Sequence, residues 1–74
     1  MPSETSQKVI DLLSPSVGEF VAKAKVTAAC KMVNLNVDTL DKSQLKDFAD
    51  KFEVVCLTLG PEIAKNVKQK VLAL

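Results

Sequence analysis

The sequence predicts an all-α fold, a compact four-helix bundle-like domain spanning residues 1–74, with helices near 4–13, 15–34, 42–59 and 61–74 and the second buried at the centre. Three observations carry this expectation. Apolar residues recur at helical spacing in four segments. Helix start and stop residues fall between those segments. The run from Pro15 to Leu35 is apolar on two sides, and such a helix needs cover on two sides.

Ser3 is placed to cap a first helix over Glu4 to Leu13, whose inner face is Val9, Ile10 and Leu13; residues 1–3 before it are expected to be loose. Ser14-Pro15-Ser16 is the predicted break, because proline ends one helix and suits the first position of the next. In the second helix Val17, Phe20, Val21, Ala24, Ala28, Met32 and Leu35 fall on one stripe and are read as the core face. Ala22, Val26, Ala29 and Val33 form a second stripe roughly opposite. Asn34 or Asn36 can take the left-handed conformation that closes the helix.

Leu40-Asp41-Lys42-Ser43-Gln44-Leu45 is the clearest local signal, with an N-cap aspartate, a returning Gln and two leucines placed as a hydrophobic staple. The third helix then shows one face of Leu45, Phe48, Ala49, Phe52, Val55, Cys56 and Leu59, from which Val54 and Leu57 stray. Gly60-Pro61 ends it and opens a fourth helix with Ile63, Ala64, Val67, Val71 and Leu74 inward and Leu72 on the solvent side.

Composition narrows the function classes. Apolar residues are 47% and charged ones 26%, which favours a folded globule over a disordered chain. All ten cations are lysines against nine acidic residues, a net charge of +1, and without Arg the bidentate reading of phosphates or base edges is weakened. The absence of His, Trp and Tyr removes the usual neutral-pH general base, the commonest metal ligand and the best stacking platforms. Cys30 and Cys56 lie outside any metal-ligand spacing and read as buried free thiols of a reducing compartment. The segment MPSETSQK has no basic start followed by an apolar run, and no apolar stretch reaches the roughly 18 residues a membrane span needs. A cytoplasmic protein is expected.

Local motifs are better explained by helix starts and solvated faces than by chemistry. Asn34, Asn36 and Asp38 alternate like the opening of a calcium loop, but Thr39 replaces the turn glycine and Leu45 the bidentate glutamate. A helix-turn-helix centred on Gly60 would need Lys65 or Asn66 to pack inward. Asp38-Thr39-Leu40-Asp41 resembles, over four residues, the Asp-Ser-Leu attachment motif of acyl carrier proteins; Thr39 stands where that family has its pantetheine-bearing serine, so the family's function is not carried over. Asp47 and Asp50 are surface neighbours, and neither cysteine has an imidazole partner. No catalytic, cofactor-binding or metal-binding residue is assigned, no cofactor is expected, and the chain is read as a non-enzyme.

What stands out is surplus apolar surface. Ala22, Val26, Ala29 and Val33, with Val54, Leu57 and Leu72, form the candidate interaction surface of a small protein-interaction or oligomerisation module, regulatory or adaptor in kind. Its expected partner is another protein or a second copy in a homodimer. The alternative is a lysine-rich nucleic-acid-binding regulator using Lys65, Lys68 and Lys70 with Lys42 and Lys46. A weaker one is a carrier or small-ligand-binding bundle.

Overall fold

The computed structural model describes residues 1–74 and shows four α-helices and no strand: α1 Glu4–Val17, α2 Glu19–Met32, α3 Leu45–Cys56 and α4 Pro61–Leu72. Short 3₁₀ turns, Lys42–Gln44 and Leu57–Leu59, lead into and out of α3. The all-α, four-helix expectation holds. Each helix packs on the next in sequence, and α1 closes on α4. The radius of gyration is 10.5 Å, against about 11 Å for a compact chain of this length.

The first break differs from expectation. α1 runs through Pro15 to Val17 and stops at Gly18. Pro15 sits in the last turn, where its missing N–H deprives only the carbonyl of Asp11, an exposed residue open to water. Gly18, by contrast, has φ 89° and ψ 157°, a conformation essentially reserved for glycine. Its N–H donates to the Ser14 carbonyl at 2.7 Å and its carbonyl accepts from Ala22 N–H at 3.0 Å, so one residue ends α1 and begins α2. Gly60 repeats the device before α4, with φ 120° and ψ 141° and Pro61 at the first helical position.

The long connection from Val33 to Asp41 is pinned at both ends and in the middle. Asn34 takes φ 58°, and the Leu35 and Asn34 N–H groups donate to the Cys30 and Lys31 carbonyls at 2.8 and 3.3 Å, a Schellman closure of α2. At the other end the Asp41 carboxylate accepts from the Ser43 N–H and hydroxyl, and Gln44 Oε1 accepts from the Asp41 N–H at 3.1 Å, completing the predicted capping box. Those Ser43 hydrogen bonds hold the Asp41 carboxyl below its ordinary pKa, so the cap is intact above the normal carboxylate range and fails as pH falls through the lowered value. Leu40 and Leu45, the staple pair, are both buried.

Of residues 1–3, Ser3 is tied down. The Ser3 N–H donates to the Val37 carbonyl at 3.0 Å, and its hydroxyl donates to the Leu40 carbonyl at 2.6 Å while accepting from the Ser6 N–H at 3.1 Å. The remaining lone pair meets the hydroxyl of Ser6, a fully buried residue. One side chain caps α1 and ties it to the loop before α3.

The core collects Val9, Ile10 and Leu13 from α1, Phe48 and Phe52 from α3, and Ala64, Val67 and Val71 from α4. Phe48 and Phe52 stack with ring centroids 5.1 Å apart and an interplanar angle of 22°. From α2 it takes only Ala22, Val26, Ala29 and Cys30. The second helix is therefore covered on one side, by α1 and α3, and is not a central strut. Both glycine corners carry a testable cost: no atom lies within 4 Å of a Cβ built at Gly18 or Gly60, so only the backbone resists a side chain there. Gly18→Ala and Gly60→Ala are each expected to lower the urea-unfolding free energy by about 1–3 kcal/mol.

Candidate interaction surface

The stripes of α2 are the reverse of those expected. Phe20, Val21, Ala24, Ala28 and Met32, read as core from the sequence, face solvent, with Phe20 88% and Met32 51% exposed. Ala22, Val26 and Ala29, read as interaction surface, are wholly buried, and Val33 is half-buried at the helix end. The reason is room. α2 packs against the helix that carries Phe48 and Phe52, and its small stripe lets it approach where its bulky stripe would overfill the core.

A signal for this orientation exists in the sequence. Lys31 follows Phe20 by eleven residues, three helical turns plus about 20°, so it projects from within the bulky stripe. A buried face cannot hold an unpaired ammonium. Of the other candidate residues, Val54 and Leu57 are about half exposed near the end of α3. Leu72, also half exposed, lies at the far end of α4, roughly 16 Å along the axis from its start at Pro61, and does not join them.

The outward face of α2 therefore carries three of the exposed large hydrophobics, Phe20, Val21 and Met32, more than any other helix. Phe20, Ala24, Ala28 and Met32 succeed one another every four residues along it, and a shallow depression is lined by Phe20, Lys23, Ala24, Thr27, Ala28 and Lys31. Lys23 and Lys31 have no ion-pair partner in the chain; the lysines that do are Lys8, with Glu4, and Lys68. Lys25 reaches the other way, donating to Thr58 Oγ1 at 2.8 Å and fastening α2 to the turn after α3. Thr27 is satisfied by its own helix, donating to the Lys23 carbonyl at 2.9 Å.

The residues singled out for other chemistries serve local structure. Asn36 Oδ1 accepts from the Asp38 N–H at 2.7 Å and its carbonyl from the Thr39 N–H at 3.0 Å, a turn that accounts for the alternating oxygens of that loop. Lys68 bridges to Asp50 at 3.0 Å and Glu53 at 3.6 Å, and the Asp50 bond leads in raising its pKa; the lysine is engaged in joining α4 to α3. Asp47 and Asp50 are exposed. Cys30 and Cys56 are buried free thiols, and burial pushes both pKa values up, partly offset at Cys56 by the Lys25 charge. No helix of the chain is long and apolar enough to cross a membrane. No protein-family model, curated protein or solved structure matches the chain.

Two expectations follow. Val26→Asp places an unpaired charge at a fully buried position and is expected to abolish cooperative unfolding, whereas Phe20→Ser should change stability by less than about 0.5 kcal/mol; circular dichroism under urea separates them. Because their pKa values are raised by folding, the two thiols favour the native state fully below the ordinary thiol pKa and lose that contribution as pH rises through the shifted values. Stability should therefore decline above roughly pH 8.5, and replacing both cysteines with alanine should flatten that decline.

Proposed function

We propose that this chain is a non-enzymatic protein-interaction module of the cytoplasm, acting through the outward face of α2. The observation that carries the reading is Phe20, a full aromatic side chain 88% exposed at the head of an apolar face that continues through Ala24 and Ala28 to Met32. Large apolar groups held in water on a rigid helix are the usual anchors of recognition, and a contiguous row of them is rarer on a monomer's surface than scattered single residues. Buried Cys30 and Cys56, not joined in a disulfide, fit a reducing compartment.

In binding, the partner would desolvate Phe20 and Met32 and lie across the low ground of Ala24 and Ala28 between them. The rest of the protein supports this by rigidity. Gly18 sets the direction in which α2 leaves α1, the Lys25–Thr58 hydrogen bond holds its middle, and the Asn34 closure holds its far end. The face is thus presented without an ordering cost at the moment of binding.

Site-specific photocrosslinking in the cell tests the reading. A benzophenone amino acid replacing Phe20 should yield crosslinked protein adducts, while the same group at Asp47, an exposed site on α3, should not. Adducts at neither position, or equally at both, would remove α2 as the binding face.

A further inference from the structure

We propose that the occupant of the α2 face is an amphipathic helix of a partner protein whose apolar anchors are rimmed by carboxylates. This rests on the reading of α2 as the binding face and adds the partner's chemistry. Charge carries it. α2 holds three lysines and a single acidic residue, Glu19, at its very first position. Lys23 and Lys31 line the depression beside Phe20, and neither is neutralised within the chain.

The same lysines argue against a second copy. In a parallel pair of α2 faces Lys31 would lie against Lys31. In an antiparallel pair that sets Phe20 against Met32, Lys31 of one copy and Lys23 of the other fall within about 3 Å of the same level along the axis. Either arrangement desolvates like charges together, which disfavours it. A carboxylate-rimmed helix meets the same positions with the opposite sign.

Size points the same way. Phe20 to Met32 spans twelve residues, roughly 18 Å of helix, so the complementary element is about three turns long with anchors three or four residues apart. Such a contact is small, and the complex belongs among weak, readily exchanged ones whose association depends on charge.

The test uses fluorescence anisotropy with two labelled helical peptides of about 14 residues, each with leucine anchors at that spacing and flanked by either glutamates or lysines. Wild-type protein should bind the glutamate peptide at least about tenfold more tightly than the lysine peptide, and less so as salt rises from ~50 to ~200 mM. The exposed double variant Lys23→Glu/Lys31→Glu, checked for its helical spectrum, should reverse the preference, and Phe20→Ser should lose both peptides. Equal binding of both peptides that Phe20→Ser still abolishes would overturn the acidic partner and leave the binding face standing. Glutamate-peptide binding untouched by Phe20→Ser would remove the face as well. Self-association of wild type that Phe20→Ser dissolves would assign the face to a second copy, and Phe20-dependent capture by phosphatidylglycerol vesicles without peptide binding would assign it to an anionic membrane; either result overturns the proposal.

Discussion

The volume taken by Phe48 and Phe52 governs the arrangement of this small protein. A chain of 74 residues has one modest core, and two stacked phenylalanines fill a large share of it. α2, packed on the helix that bears them, then has space only for Ala22, Val26, Ala29 and Cys30. The bulkier residues of the same helix are displaced to the outside. The exposed face is thus a consequence of how the interior is filled.

Two glycines complete the design. With only Gly18 between α1 and α2, and Gly60 between the turn after α3 and α4, neither junction has slack with which a helix could roll. The nine-residue stretch from Val33 to Asp41 is the one long connection, and it is tied down by the Asn34 closure, buried Leu40, the Ser3 hydroxyl and the Asp41 cap. The Asn34 closure and the Asp41 cap act through near neighbours, whereas the Ser3 hydroxyl and buried Leu40 tie the loop to the start of α1 and to the core. None of them engages the side chain of Lys23 or Lys31, which have no ion-pair partner in the chain.

Local chemistry made much of this legible in the residues. The Asp41–Gln44 box, Ser3 as a cap and Gly60-Pro61 as a stop each act through near neighbours and are where the pattern places them, and of the two asparagines open to the left-handed role, Asn34 and Asn36, it is Asn34 that takes it. Pro15 misled because proline is tolerated in a last turn whose deprived carbonyl faces water, whereas the glycine three residues later has a geometry no other residue accepts readily. The orientation of α2 is less legible. Periodicity reports that a helix has two apolar sides but not which one the neighbours have room for, and a preference for burying Phe20 picks the wrong side. Lys31, rising from within the Phe20 stripe, held the deciding information.

The single-residue corners also shape how the chain reaches this structure. Each couples two helices adjacent in sequence, so α1 with α2 and α3 with α4 form contacts of short sequence separation that a collapsing chain finds quickly. The contacts between these halves include α2 on α3, α1 on α4 and the Lys25–Thr58 hydrogen bond, while the Ser3 hydroxyl ties α1 to the Leu40 carbonyl in the connecting loop, thirty-seven residues away. Until they form, the Phe48–Phe52 pair on one half and the small stripe of α2 on the other are both open to water. Bringing the two helical corners together therefore requires the loop from Val33 to Asp41 to close, at an entropic cost that grows only slowly with loop length.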